Sequence, residues 1–220
     1  MKKILCLLTA LVCVFSIVAC DLLGIPSGGE VGNPLEDVVA ASKPTEVVTQ
    51  VTYSYPTQSQ LSEFNGKLNG FYVLKNDGEN SILEYEYRTL AKPEELEPDG
   101  IKVISGTFYC FDGKTSVDGD EWDVVSADTV NVKLELVKGR FKTYEKSEDE
   151  KTLTATITGQ NIESIIGHRL SADGDVSFVV KTNGIYLTGI EISYTALSGA
   201  SVVINTSYTY NELDLEFPAN

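Results

Sequence analysis

Few residues in this chain are of types that do covalent chemistry. The one histidine, His168, sits between Gly167 and Arg169 in an expected loop. Any Ser-His or Cys-His nucleophile would have to use it, yet no Gly-x-Ser-x-Gly elbow exists and Cys110 belongs to an unrelated apolar run. Within Thr107-Phe108-Tyr109-Cys110-Phe111 a thiol reads as a small packing residue rather than a nucleophile. Zinc needs several His or Cys ligands, and the set is too small. The densest acidic cluster, Asp118-Gly119-Asp120-Glu121-Trp122-Asp123, offers Asp118, Asp120 and Asp123 as oxygen donors of the kind Ca²⁺ uses. Its order departs from the EF-hand loop, since glycine falls second and no acid stands twelfth, so a solvated turn is the expected role. No catalytic set and no cofactor site emerge, and the chain is expected not to be an enzyme.

Tyrosine is the more suggestive residue. All 11 tyrosines lie in or beside expected strands, and Tyr53/Tyr55, Tyr85/Tyr87 and Tyr208/Tyr210 form same-face pairs. Tyrosine is a good strand former and an amphipathic filler, which accounts for most of them. A second role is a cavity lined by a sheet's apolar face. By alternation, the inward set would be Val51, Tyr53, Tyr55, Tyr85, Tyr87, Val132, Leu134, Ile192, Tyr194, Tyr208 and Tyr210.

One cysteine carries a different chemistry. Lys2 and Lys3 precede sixteen uncharged residues, Ile4 to Ala19, and Cys20 follows a small residue. A basic start, an apolar stretch and a small-residue junction are the marks of a secretory signal, and the stretch is short for a membrane span of about 20 residues. Ile17-Val18-Ala19-Cys20 resembles the lipobox of bacterial lipoproteins. The resemblance implies cleavage before Cys20, acylation of its sulfur with diacylglycerol (palmitate-type chains) and attachment to a bacterial membrane, with the chain on the extracytoplasmic side. Asp21 resembles the inner-membrane retention residue of some enteric lipoproteins, an inference that needs a two-membrane cell.

Charge restricts partners. From Cys20 onward the chain has 201 residues with 15 basic against 32 acidic side chains, a formal charge of −17. Nucleic acid and anionic headgroups are repelled, so contact with a membrane is expected through acyl chains, each buried methylene contributing about 0.8 kcal/mol. With Cys6 and Cys13 lost and Cys20 acylated, Cys110 has no disulfide partner, and the domain must stand on its core.

The elements follow from pattern. Residues 1–19 read as the signal peptide. Residues 20–45 hold Gly24, Gly28, Gly29, Gly32, Pro26, Pro34 and Pro44 and read as the lipidated terminus and a flexible tether, with a single helical turn allowed over Leu35 to Ala41. A tether of that length reaches roughly 25–30 Å. Residues 46–212 alternate repeatedly: Val47 to Tyr55, Leu83 to Arg88, Val130 to Leu136, Thr152 to Ile157, Val176 to Val180, Tyr186 to Tyr194 and Val202 to Tyr210. Period-two alternation predicts antiparallel sheet with one buried face. Eight glycines follow Asn or Asp, the pairing that suits tight hairpins. A short turn of helix or a loop is expected over 57–65, a short helix over 161–166, a surface loop over 92–99, and a C-terminal tail over 213–220.

The expected fold is therefore a single all-β domain, an antiparallel meander of about eight to ten strands with one or two short helices. Its architecture, over residues 46–211, resembles the half-barrel of periplasmic lipoprotein carriers and related lipid-binding lipoproteins; a β-sandwich fits the strands nearly as well. The resemblance implies a lipid or other hydrophobic ligand bound at the cell envelope. The sandwich would suit a structural or adhesion protein displayed at the surface.

Overall fold

The computed structural model describes residues 34–218 apart from 65, 96, 98, 120, 125–133, 135 and 167–169, with backbone alone at 94 and 121–124. The signal, Cys20 and the tether up to residue 33 thus lie outside the described residues, as do His168, Asp120 and Val132.

Eleven antiparallel strands form one sheet, open and curved. The strands are β1 Glu46–Ser54, β2 Lys67–Asn76, β3 Ser81–Leu90, β4 Ile101–Phe111, β5 Lys114–Val117, β6 Glu121–Val124, β7 Thr143–Lys146, β8 Thr152–Thr158, β9 Ala172–Thr182, β10 Leu187–Ala196 and β11 Ser201–Thr209. Their order is β6-β5-β4-β3-β2-β1-β11-β10-β9-β8-β7. The chain starts in the middle, meanders to one edge, crosses to the other, and meanders back until β11 pairs with β1. A single continuous sheet is the curved alternative of the two expected architectures. The strand count exceeds expectation because β5, β6 and β7 have only four residues each. Both edges are thereby short, which limits the backbone they offer to other chains.

Turn chemistry explains the meander. At the β4–β5 and β5–β6 corners, Asp112-Gly113 (φ 49° and 71°) and Asp118-Gly119 (φ 56° and 82°) occupy consecutive left-handed positions, the geometry of a type I′ hairpin. Gly70 behaves otherwise: it follows Asn69 yet lies inside β2 opposite Val51 and Tyr87. Of the strand expected over 130–136, residues 130–133 and 135 lie outside the described residues. Leu134 and Leu136 belong to no strand; Leu136 is buried and Leu134 packs against the core. They lie on the crossover between the two edges, where alternate apolar side chains face the core without a ladder.

Three short helices accompany the sheet: α1 Leu35–Ala41, α2 Gln58–Glu63 and α3 Glu163–Ile166, the last preceded by a 3-10 turn over Gly159–Asn161. Helix α2 is capped by Thr57, whose hydroxyl accepts from the Gln60 N–H. Helix α1 falls in the segment read as tether, but Leu35, Val38 and Val39 are buried. Its Glu36 accepts hydrogen bonds from the Tyr144 hydroxyl and from Lys146 Nζ, the latter at 2.6 Å. Beyond its C-terminus, the Ser42 hydroxyl donates to the Val38 carbonyl at 2.7 Å and accepts from the Leu187 N–H at 2.8 Å. Helix α1 is thus fastened to β7 and β10.

The core is lopsided. Among the described residues, the large side chains with under 2% exposure are Phe178, Leu35, Leu153, Ile157, Ile162, Ile165, Ile166, Leu187, Ile192, Val39, Val176 and Val180. All come from α1, residues 162–166 or β8–β10. None comes from β2–β5.

Candidate functional site

The core face can be followed strand by strand through the register. One row runs Phe178, Ile192, Ile204, Val51, Gly70, Tyr87, Ile104. The next runs Val180, Ile190, Thr206, Thr49, Tyr72, Tyr85, Gly106. A third holds Val176, Tyr194, Val202 and Tyr53. None of these positions carries a charged side chain. From β9 toward β4 the rows change from packed aliphatics to tyrosines and glycines.

The glycines explain how the rings lie. A Cβ at Gly70 would meet the Tyr72 ring at 2.7 Å, and one at Gly106 would meet the Tyr85 hydroxyl at 2.6 Å. Each ring therefore lies down over a bare backbone position, Tyr72 along its own strand and Tyr85 across to its β4 partner. Tyr85 and Tyr87 are stacked, with centroids 6.5 Å apart and planes at 24°. Tyr53, Tyr72, Tyr87 and Tyr194 are partly exposed and Tyr85 is 9% exposed. Among the described residues, none of these five hydroxyls has a hydrogen-bond partner.

Electrostatics agrees with a face on which the tyrosine hydroxyls are partly desolvated. Burial, reinforced by Tyr55, pushes the Tyr53 hydroxyl up to about 12. Burial also raises Tyr72, with smaller contributions from Tyr53 and Tyr87, and raises Tyr194 with a contribution from Tyr53. These mutual effects mark the hydroxyls as neighbours. Tyr85 is raised first by burial and then by the Asp118 carboxylate.

The other expected site residues separate from this group. Tyr208 is 7% exposed in the row of Val47 and Leu74, and its buried hydroxyl has no partner among the described residues. Tyr210 lies past β11, where it stacks on Tyr186 at 4.5 Å and donates to the Leu187 carbonyl at 2.7 Å, helping to hold the α1 end of the sheet. Tyr55 follows β1 and packs against the core beside Gly66. Tyr72 was not in the expected set. Its strand contains Asn69-Gly70, which reads as turn punctuation and hides the alternation of Leu68, Tyr72 and Leu74.

Asp118 occupies a left-handed turn position, and its Oδ1 accepts from the Thr107 N–H at 2.7 Å. Among the described residues, no three His, Cys, Asp or Glu side chains converge as a metal site requires. Cys110 is half-buried in β4 and burial pushes its thiol up, away from the thiolate that reacts. Among the described residues, no helix is long and apolar enough to cross a membrane.

On the opposite face, residues 211–218 run back over β3–β5. Phe217 lies 4.6 Å from Phe111 and 6.2 Å from Tyr109, centroid to centroid, and Pro218 covers Gly119. A cleft of about 320 Å³ remains between Asp214-Leu215-Glu216 and Lys75, Ile82 and Glu84.

No protein-family model and no curated protein matches the chain. Among solved structures, it is similar to the hypothetical protein CT021 from Chlamydia trachomatis. The likeness covers 86% of this chain and 98% of that one, at 8% identity and a TM-score of 0.33.

Proposed function

We propose that this chain is an exported bacterial lipoprotein, anchored through acylated Cys20, whose β domain binds a lipid or other hydrophobic molecule on its tyrosine face at the cell envelope. It is a binding module rather than an enzyme. The observation that carries this reading is the lopsided core. Helices α1 and α3 and the tightest packing serve β8–β10, while the same face continues over β2–β4 with the partly exposed rings of Tyr72 and Tyr87, whose hydroxyls have no partner among the described residues. A large uncharged face that is partly open invites an apolar occupant. The leader pattern places that occupant near a membrane.

The runner-up is a structural or adhesion protein. Exposed Phe71 and Val103, each 51% exposed on the opposite face, favour it, because scattered apolar side chains there suit protein contact.

The test is direct. The chain is purified from its native envelope and extracted with organic solvent, and the extract is examined by mass spectrometry. A lipid or other apolar molecule present in proportion to protein, beyond the anchor's own acyl chains, supports the proposal. Its absence at that ratio, together with failure of the chain to bind a neutral apolar dye, refutes it.

A further inference from the structure

We infer that the tyrosine face selects an uncharged amphiphile bearing acceptor oxygens, such as an acylglycerol, over a fatty acid or other anionic lipid of the same chain length. The inference rests on the binding reading above and concerns which apolar molecule that face takes.

Two observations lead to it. The first is the absence of charge. Across the three cross-strand rows that hold Tyr53, Tyr72, Tyr85, Tyr87 and Tyr194, no position is Lys, Arg, Asp or Glu. Two ions border these rows: Asp118, whose Oδ1 and the Tyr85 hydroxyl both crowd the Cβ position of Gly106, at 3.0 and 2.6 Å, and Lys102, beside Tyr87 on the same face but paired with Glu95. A carboxylate or phosphate brought onto this face would lose hydration without meeting an unpaired cation, since Glu95 already holds Lys102, and would approach the Asp118 carboxylate. The chain's strongly acidic balance adds long-range repulsion of the same sign.

The second observation is the set of hydroxyls. Tyr53, Tyr72, Tyr85, Tyr87 and Tyr194 supply five phenolic O–H donors with no partner among the described residues. A wholly apolar occupant would strip water from them and leave donors unsatisfied, which is costly. An ester, ether or alcohol oxygen accepts from a phenol without bringing charge, while the hydrocarbon covers Ile104 and the ring faces. Donors and an apolar floor without cations match a neutral head on an acyl chain.

The experiment uses the whole polypeptide from Cys20 to Asn220, produced without its leader so that Cys20 carries no acyl group. Nile red reports occupancy of the face, and two competitors of equal chain length displace it: monodecanoylglycerol and decanoate at pH 8. The parent is expected to bind monodecanoylglycerol at least about tenfold more tightly than decanoate, a difference of about 1.4 kcal/mol. The triple variant Tyr53→Phe, Tyr72→Phe, Tyr194→Phe keeps the rings and removes three donors. It is expected to bind monodecanoylglycerol several-fold more weakly than the parent, so that the preference narrows toward the part set by charge alone, with the thermal midpoint recorded alongside to report folding. Equal or tighter binding of decanoate, or an unchanged preference in the triple variant, overturns this inference and leaves the binding function standing. Failure of the parent to bind Nile red and both competitors overturns the binding function itself. If the triple variant fails to fold, Tyr72→Phe alone is compared with the parent by the same displacement, with the same two outcomes.

Discussion

Gly70 and Gly106 are the residues on which the tyrosine face turns. Glycine in a strand interior normally weakens it, and here the missing side chains are replaced by rings from Tyr72 and Tyr85. Gly70→Ala should displace the Tyr72 ring, since its new Cβ would sit 2.7 Å from that ring. The ring is the free end of a flexible side chain, so chemical denaturation should show a change of no more than about 1 kcal/mol. Nile red affinity should fall several-fold all the same. Phe178→Ala is the contrast: with no exposure and neighbours on every side, it should cost about 3–5 kcal/mol in the same measurement. Tyr53, Tyr85, Tyr87 and Tyr194 were legible from alternation alone. Tyr72 was not, because Asn69-Gly70 mimics a turn until the register shows Gly70 paired on both sides. Tyr208 and Tyr210 follow the same period, yet one is buried and the other is tied to Leu187. Period two assigns a face, but which part of that face is covered depends on helices and a crossover that alternation does not describe.

At the scale of elements, α1 is held by an ion pair whose pH response has a definite sign. Burial alone would raise the Glu36 carboxyl, but hydrogen bonds from Lys146 and Tyr144 outweigh it and leave it below the usual value. A carboxyl lowered in the folded state stabilises above its unfolded pKa, and that contribution disappears as pH falls through the folded one. Thermal midpoints recorded from pH 7 down to pH 3 should therefore drop more steeply for the parent than for Glu36→Gln, with the two curves converging at the acid end. Parallel curves would mean that Glu36 does not fasten the helix. The C-terminal segment makes a similar contribution on the other face. Phe217→Ala removes a partly exposed ring from Phe111 and Tyr109, and should cost about 1–2 kcal/mol by urea unfolding. The helix allowed over Leu35 to Ala41 is present and residues 213–218 carry no strand, but the packing of both segments against the sheet was not legible in the sequence, for a physical reason. Helix α1 is short and sits in a stretch rich in glycine and proline, and its stability comes from tertiary contacts rather than propensity. Residues 213–217 alternate Leu-Asp-Leu-Glu-Phe like a strand, but they lie on the sheet rather than in it.

For the whole molecule, an open sheet with two short edges poses two hazards, edge pairing and an uncovered apolar face. A formal charge of −17 from Cys20 onward works against association of copies. Anchoring at one point near a membrane would keep the open face beside its source of ligand. Cys20→Ser should leave the protein as unprocessed precursor, and labelled fatty acid should not enter it; incorporation into that variant would show that the acylated residue is another. The central claim is that the face over β2–β4 is open to a ligand rather than filled as core, and Tyr85, at 9% exposed, is too enclosed to decide it. Tyr72 is better placed. The most direct measurement pairs a Nile red titration of the full unacylated chain with urea unfolding, for the parent and for Tyr72→Ala. An open face predicts saturable binding by the parent, several-fold weaker binding by the variant and a stability loss of no more than about 1.5 kcal/mol. A parent that binds no dye, with a variant that loses about 3–5 kcal/mol as a truncated core aromatic does, would contradict it.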